Sequence, residues 1–281
     1  MVNASEESAG TLYIVATPIG NLADLSPRAG EVLGAVALIA AEDTRRCGKL
    51  LAHLGLKKPM IPVHEHNEDS QISRLLAELS RGQSIALVAD AGTPLISDPG
   101  LRLVQAVAEA GIPIVGIPGP SAVTLALSVA GLPTDRFSFE GFLPRRPERR
   151  RARLAELKSE SQTLVFFEAV HRIAATLEDL AQVFGGERPA VLARELSKVH
   201  EQVVRGTLND LKAGIGQSIP LLGEFVVVVG GAPAPAAVDD SEIVRIYELL
   251  VAELPPARAV ALCAKISGRS RNDVYALTRG R

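Results

Sequence analysis

The chain has 281 residues, of which 47% are hydrophobic, and its formal net charge is −2. This length allows one large or two ordinary domains, and the charge indicates no general preference for an acidic partner. No apolar run approaches the roughly 20 residues of a membrane-spanning helix, so no membrane association is expected. Cys47 and Cys263 are too few for a disulfide framework, which favours a reducing, cytoplasmic location.

The first part of the chain alternates short apolar runs with helical segments. Residues 1–10 are polar and acidic, lack the features of a signal peptide, and are predicted to form a disordered tail. The predicted strands that follow are 12–17, 35–41, 60–63, 85–89 and 112–117. Helices between them complete a βαβαβαβαβ order, which predicts a mainly parallel sheet in a lobe of residues 11–118.

A second α/β set is predicted over residues 119–231. An apolar helix is expected at 122–129, and strands are expected at 137–142, 163–167, 189–194, 199–206 and 224–230. A proline- and alanine-rich linker, residues 232–240, then leads to residues 241–281, which have helical periodicity only. The predicted fold class is α/β, with two α/β lobes and a small C-terminal helical domain.

The stretch VADAGTPLISDPG, residues 88–100, contains the strongest functional signal. Gly92 lets a ligand approach the backbone closely, and Pro94 prevents the strand from continuing. Asp98 is predicted to cap the next helix, with Pro99 in its first turn. A rigid polar loop is therefore expected at the carboxyl end of a central strand, where open α/β sheets bind ligands.

Several common motifs are missing from the sequence. It has neither the glycine-rich motifs of dinucleotide folds and P-loop NTPases nor a GxSxG hydrolase elbow. No residue set has metal-ligand spacing, and His64 and His66 are interpreted as part of a solvated turn. Four strand-end loops rich in Gly, Pro and small polar groups remain as sites for a small ligand: residues 17–21, 42–45, 90–93 and 118–121.

Six segments carry a family resemblance: residues 12–30, 38–46, 86–100, 116–145, 164–173 and 193–202. They include the sequences LYIVATPIGNLADLSPRAG, LIAAEDTRR and ALVADAGTPLISDPG. Together they resemble the tetrapyrrole-methylase superfamily and, within it, the ribosomal RNA small subunit methyltransferase I family. The resemblance covers about residues 12–230, and the tail also fits it.

The resemblance implies a cofactor cleft between two α/β lobes of the tetrapyrrole-methylase type, with S-adenosylmethionine as methyl donor. It implies 2′-O-methylation of a cytidine ribose in the decoding region of 16S rRNA, with the free rRNA or the 30S subunit as partner, and a homodimer. The cofactor contacts it implies are Pro18, Asp90, Gly92, Thr93, Ile96, Ser121, Ala122, Phe167 and Ala193. For Phe167, placed at the end of its strand, a role in the core is the alternative.

A ribose hydroxyl is a weak nucleophile, so a general base or a group that stabilises the alkoxide is expected. The candidates at the lobe edges are Asp43, Glu168, His171 and Lys198, with Glu42 and Glu195 also considered. Asp43 and Glu168 are predicted to follow strands directly and to point into the cleft. Structural pairing with a neighbouring arginine is the alternative, and the resemblance does not identify the base.

Two segments are strongly basic. Residues 145–158 contain seven Lys or Arg against two Glu, and residues 255–281 contain six against one Asp. The candidate RNA-binding residues are Arg145, Arg146, Arg149, Arg150, Arg151, Lys265, Arg269 and Arg271, the last three in a predicted helix-turn-helix. A solvated basic helix and a docked helical hairpin are the plainer interpretations. Few aromatics occur in these segments, so base stacking from them is not predicted.

Two other functions compete with rRNA methylation. Methylation of a tetrapyrrole intermediate is compatible with the loops, but a small macrocycle has no need of two basic segments. A non-enzymatic RNA-binding module would explain the basic segments. The intact DAGTP and PGPSA loops argue against it, because a degenerate site should lose its glycines and prolines.

Overall fold

The computed structural model describes residues 9–233 and 239–279. Most of the predicted 1–10 tail and the central part of the 232–240 linker lie outside the described residues. The chain divides into two compact units, residues 1–231 and 232–281, and the first contains both α/β lobes. No helix in the described ranges is long and apolar enough to cross a membrane.

The first lobe contains a five-stranded sheet in which every strand pair is parallel. Its strands are β1 (Leu12–Val15), β2 (Leu38–Ala41), β3 (Met60–Pro62), β4 (Ile85–Val88) and β5 (Ile114–Ile117), in the spatial order β3-β2-β4-β1-β5. The helices are α1 (Pro27–Ala35), α2 (Thr44–His53), α3 (Glu68–Ser80) and α4 (Leu101–Glu109), with a 3-10 helix at Leu22–Asp24. The predicted parallel sheet is confirmed.

Both faces of this sheet are buried, which explains the continuous apolar runs of its strands. In β4, Ile85 and Leu87 pack into one hydrophobic cluster, while Ala86 and Val88 pack into another. Successive side chains of a strand point to opposite faces, so these two clusters lie on opposite sides of the sheet.

The second lobe contains a mixed five-stranded sheet. Its strands are β6 (Phe137–Phe142), β7 (Thr163–Ala169), β8 (Pro189–Arg194), β9 (Gln202–Thr207) and β10 (Glu224–Val229), in the order β6-β7-β10-β8-β9. Only the β6–β7 pair is parallel within this sheet of described residues. The helices are α5 (Ala122–Ala130), α6 (Pro147–Leu157), α7 (Ile173–Phe184) and α8 (Leu208–Gly214).

The C-terminal unit consists of α9 (Asp240–Val251), α10 (Pro256–Ser267) and α11 (Arg271–Thr278). A small core that includes Ile243, Tyr247, Cys263 and Val274 holds the three helices together. Gly268, with a φ of 70°, ends α10, since glycine adopts the left-handed conformation at little cost. This arrangement agrees with the predicted helix-turn-helix.

The start of α4 differs from its prediction. The helix begins at Leu101, behind Gly100 at the N-cap with a φ of 121°, so the assignment of Asp98 as the cap is wrong. The buried carboxylate of Glu68 instead accepts a hydrogen bond of 2.9 Å from the Leu103 N–H. Because α3 supplies this acceptor, the Asp98 side chain is left outside the helix.

Candidate active site

The loops that follow β1 and β4 are joined to each other by backbone hydrogen bonds. Thr17 and Gly92 exchange both of their N–H···O=C bonds, each 2.9 Å long, and the Thr17 hydroxyl donates to the Ala89 carbonyl at 3.2 Å. Gly92 has a φ of 78°, and an added Cβ would lie 3.3 Å from the Ile19 side chain. The backbone at Gly92 is thus held rigidly with little room for a side chain.

A cavity of about 360 Å³ opens between this loop and the second sheet. Such a volume is at the lower end of small-molecule sites. Its wall contains six of the nine predicted cofactor contacts: Gly92, Thr93, Ile96, Ser121, Ala122 and Phe167. The opposite wall comes from β7 and β10, including Ala169, Glu224 and Val226.

The other three predicted cofactor contacts lie nearby. Pro18 and Asp90 line a second cavity of about 120 Å³, and Asp90 directly precedes Ala91 of the first cavity. Ala193 is buried in β8, where it pairs with Val226 of the cavity wall. The structure therefore brings residues from both lobes together around one cleft, and their cofactor contacts stay predictions.

Direct contacts fix one lobe against the other near this cleft. The Thr93 hydroxyl donates to the Pro120 carbonyl at 3.3 Å, and the Ser197 hydroxyl donates to the Asp24 carboxylate. The Lys198 side chain lies directly over Gly20 and leaves no room for a Cβ there. The two walls of the cavity are consequently held in a defined position.

Each of the four predicted catalytic residues has a distinct environment. Asp43 caps α2, and hydrogen bonds from the Arg45 side chain and backbone hold its pKa well below the usual range. His171 is exposed to solvent. The Lys198 ammonium forms ion pairs with the carboxylates of Glu195, at 2.7 Å, and Glu224, at 2.9 Å. These contacts occupy the Asp43 and Lys198 side chains within the protein.

The expectation that Glu168 follows its strand is wrong, because β7 extends to Ala169. Phe167 likewise lies inside β7 and not at its end. The buried Glu168 carboxylate accepts a 2.6 Å hydrogen bond from the Thr176 hydroxyl and forms a 3.3 Å ion pair with Arg172. These bonds support a structural role, which was the alternative interpretation for this carboxylate.

Asp98 lies half-buried in the wall of the 360 Å³ cavity. This position was not predicted, because Asp-Pro is a typical helix-start signal. Burial, with smaller contributions from the Glu42 and Asp90 charges, raises the pKa of Asp98 to about 7. Across the described residues, no hydrogen bond or ion pair engages its carboxylate. Asp98 is thus the carboxyl group of the cavity wall that is free to meet a ligand.

Phe142 is an exposed aromatic in the cavity wall that was also missed. The residue is 54% exposed, and its ring lies edge-on to that of Phe167 at a centroid distance of 5.7 Å. The ring of Phe139 also contacts that of Phe167, at a centroid distance of 4.9 Å. Both rings reach Phe167 because a bulge between Phe139 and Gly141 shifts the register of β6. A regular strand would place Phe139 and Phe142 on opposite faces, so the alternation rule hides this cluster.

The basic segment that follows β6 divides into buried and exposed arginines. The Arg150 Nε donates to the Asp179 carboxylate at 2.6 Å, and Arg151 approaches the same carboxylate at 3.2 Å. The outer arginines are exposed and, within the described part of the chain, without an ion-pair partner: Arg145, Arg146 and Arg149. These three, called the rim arginines below, follow Phe142 closely in the chain.

The predicted RNA-binding residues of the C-terminal unit are exposed. Lys265 and Arg271 are solvent-facing, and Arg269 forms a 3.4 Å ion pair with Asp240. Arg271 and Tyr275 are four residues apart on α11, so they share one face of that helix. Tyr275 is 60% exposed and adds an aromatic surface that was not predicted from the sequence.

No group of three or more His, Cys, Asp or Glu side chains within residues 9–233 and 239–279 is arranged to hold a metal ion. The chemistry available at the cleft comes from backbone groups of the loop at Gly92, the aromatic rings of Phe142 and Phe167, and the Asp98 carboxyl group. This combination suits a small organic ligand with both apolar and polar parts.

Comparison with known proteins agrees with this architecture. The family described as "Tetrapyrrole (Corrin/Porphyrin) Methylases" matches residues 11–212, and the family described as "RsmI C-terminal HTH domain" matches residues 237–278. A solved structure, uroporphyrin-III C-methyl transferase from Thermus thermophilus complexed with S-adenyl homocysteine, is 19% identical, with a TM-score of 0.55. The match covers 79% of this chain and 97% of that one, and it shows a shared fold. The chain therefore belongs to the tetrapyrrole-methylase family and has the fold of that family.

Full-length relatives narrow the assignment. The chain is 53% identical to the ribosomal RNA small subunit methyltransferase I of Xylella fastidiosa (strain Temecula1), over 95% of this chain and 98% of the relative. It is 50% identical to the protein of the same name from Pseudomonas aeruginosa, over 95% of this chain and 96% of the relative. The chain belongs to the ribosomal RNA small subunit methyltransferase I family, and the predicted family is confirmed.

Proposed function

We propose that the protein transfers a methyl group from S-adenosylmethionine to the 2′-oxygen of a cytidine ribose in the decoding region of 16S rRNA. The observation that carries the proposal is the exposed Phe142 ring in the cavity wall, which is followed closely in the chain by the three exposed rim arginines. Relatives at 50% identity and above are named as methyltransferases of the small ribosomal subunit RNA, which supports the same substrate.

The cleft has the features that S-adenosylmethionine requires. Apolar side chains of Ile96 and Phe167 offer a surface for its adenine ring, and the backbone at Gly92 and Ser121 offers polar groups to its polar parts. A related fold was solved with the demethylated product of this cofactor, which is compatible with binding in this cleft. When bound, the cofactor supplies an electrophilic methyl group on a positively charged sulfur.

The chain's own contribution to the reaction is placement of the ribose. Two rigid walls hold the reacting groups at a fixed separation, and this positioning supplies a large share of the rate in a transfer between two bound molecules. The Phe142 ring offers a stacking face to a nucleobase turned out of its helix. The rim arginines bind the flanking phosphates, so binding should weaken as salt rises.

The C-terminal unit offers candidate RNA contacts of its own. The candidates Lys265, Arg269 and Arg271 lie on its exposed surface, and Tyr275 can stack on an unpaired base. The proposal further includes a homodimer, which rests on the family resemblance alone, and a cytoplasmic location, which rests on the low cysteine count. Light scattering on the purified protein measures the oligomeric state directly.

The test is transfer of tritiated methyl groups from S-adenosylmethionine to isolated 30S subunits and, separately, to naked 16S rRNA. The modified nucleoside is then identified by digestion and mass spectrometry. Label in a 2′-O-methylcytidine of the decoding region is the expected result, and comparison of the two substrates shows which form is accepted. A protein that binds the cofactor but labels neither substrate would contradict the proposal and redirect attention to tetrapyrroles.

A further inference from the structure

We propose that the Asp98 carboxylate accepts the proton of the ribose 2′-hydroxyl during methyl transfer. This inference rests on the proposed function and adds the identity of the base. It replaces the interpretation of Asp98 as a helix cap, which the start of α4 at Leu101 contradicts.

The position of Asp98 supports this role. It lies in the same cavity wall as Gly92, Thr93 and Ser121, the predicted cofactor contacts, and it shares that cavity with Phe142, the proposed nucleobase contact. A ribose between the nucleobase and the methyl donor would thus come close to Asp98.

The backbone before Asp98 is held in an unusual conformation. Leu95 has a φ of 73° and Ser97 a φ of 68°, both in the left-handed region that residues with side chains rarely adopt. The two residues flank Ile96, and the resulting turns place Ile96 and Asp98 in the cavity wall together. Such local strain persists where surrounding structure imposes it, and it is frequent at functional sites.

Competing carboxylates near the cleft are occupied. Each accepts a hydrogen bond or forms an ion pair inside the protein, as follows: Glu42 with the Asp90 N–H, Asp90 with the Asp43 N–H and Arg46, Asp43 with Arg45, Glu168 with Thr176 and Arg172, and Glu224 with Lys198. Asp98 has no such bond with any described residue, so its oxygen atoms can accept a proton from a ligand without breaking an internal contact.

The electrostatic surroundings suit a base that works near neutral pH. Burial and the negative charges of Glu42 and Asp90 raise the pKa of Asp98 to about 7. The Arg46 guanidinium lies 3.3 Å from the Asp90 carboxylate and partly offsets its charge. On the opposite wall, Glu168 is paired with Arg172, and Glu224 is paired with Lys198. A general base is most effective when its pKa lies near the working pH, because it is then both available and basic.

In the proposed step, one bond forms and one bond breaks at the methyl carbon. The 2′-oxygen forms a bond to the methyl carbon, and the bond from that carbon to the cofactor sulfur breaks with its electron pair remaining on sulfur. The hydroxyl proton moves to an Asp98 carboxylate oxygen and is later released to water. S-adenosylhomocysteine and the 2′-O-methyl ribose are the products.

The test compares Asp98→Asn with wild type in single-turnover methyl transfer to 30S subunits at saturating cofactor. We expect the rate to fall about a hundredfold or more, while calorimetry shows cofactor affinity within threefold of wild type. The wild-type rate should rise with pH to a plateau above about pH 7, and the variant should lose this dependence. Formate should partly restore the rate of Asp98→Ala.

Asp69→Asn is the matched control, because Asp69 is an exposed aspartate of α3 paired with Arg102. It should transfer methyl groups at the wild-type rate. An Asp98→Asn variant that folds and transfers at the wild-type rate, or one that keeps the wild-type pH dependence, would overturn the inference and leave the proposed function intact. Loss of cofactor binding in this variant would also overturn it. A wild-type protein inactive on both RNA substrates would instead remove the proposed function itself.

Discussion

Arg150 and Asp179 form an ion pair inside the second lobe, with an Nε-to-carboxylate distance of 2.6 Å and side chains only 5% and 6% exposed. The pair joins α6 to α7, so one arginine of the basic segment supports the fold. The rim arginines on the same segment are exposed. A single run of basic residues in the sequence therefore contains both a buried, paired arginine and three exposed ones.

The buried pair leads to a prediction about stability. Arg150→Ala leaves the Asp179 charge buried with only the partly exposed Arg151 nearby, and such a change typically costs about 3–5 kcal/mol. We expect a loss of this order in the free energy of unfolding, measured by urea denaturation. Arg149→Ala, one residue away but exposed, should change it by less than about 0.5 kcal/mol. Equal losses in the two variants would contradict this division.

The rim arginines lead to a prediction about RNA affinity. Replacing Arg145, Arg146 and Arg149 together by Gln should weaken binding to 16S rRNA without a change in the unfolding midpoint. Each phosphate contact contributes about 0.7 to the slope of log affinity against log salt concentration on single strands, so the slope should decrease by about 2. Filter binding at several salt concentrations measures it. Arg74→Gln, an exposed arginine of α3 outside the basic segment, is the control and should keep the wild-type slope.

Phe142 leads to a prediction that separates stacking from stability. Phe142→Ala removes the exposed ring at the cavity, and stacking on a base typically contributes about 1–3 kcal/mol. We expect the KM for 30S subunits to rise about fivefold or more, with cofactor affinity little changed. Phe137→Ala is the matched control, since Phe137 is exposed on the same strand but outside the cavity wall. A variant Phe142→Ala with the wild-type KM would exclude a stacking role.

Gly92 leads to a prediction about the cofactor. Gly92→Ala places a Cβ 3.3 Å from Ile19 in a backbone conformation with a φ of 78°, which typically costs about 1–2 kcal/mol for a residue with a side chain. The loop must shift to relieve this, and the Thr17–Gly92 hydrogen bonds resist the shift. Calorimetry should show tenfold or greater loss of S-adenosylmethionine affinity. Gly111→Ala is the control, since Gly111 has a similar φ of 68° but lies just after the C-terminal end of α4 with open space around it. This variant should keep the wild-type affinity, and an equal loss in both variants would show that backbone strain alone is the cause.

The features that could be predicted from the sequence are those encoded locally. Ser26 before Pro27 indicates the start of α1, and the Ser26 hydroxyl does accept a hydrogen bond from the Ala29 N–H. The apolar runs of the first lobe predict buried parallel strands, because every residue of such a strand is covered on one face or the other.

The features that could not be predicted depend on residues distant in the chain. Glu68 supplies the acceptor for the first turn of α4, 35 residues away from Leu103, and so releases Asp98 from the role its local sequence suggests. Arg150 is buried because Asp179 lies opposite it on another helix. The bulge in β6 places Phe142 in the cavity wall, and its one local sign is Gly141, at a φ of 63°, since an isolated glycine within a strand pattern suggests a bulge.

Asp98 leads to a last prediction, on the pH dependence of stability. Its pKa rises from an ordinary 3.8 to about 7 in the folded protein, so the folded state holds the proton more tightly than the unfolded state does. The contribution of Asp98 to stability therefore decreases as pH rises from about 4 to about 7. Because asparagine carries no charge at any of these pH values, Asp98→Asn should leave the unfolding temperature unchanged near pH 4 and raise it most above pH 7. Thermal unfolding of both proteins across this range measures the difference, and a gain that is constant with pH would show that the Asp98 carboxyl group titrates normally.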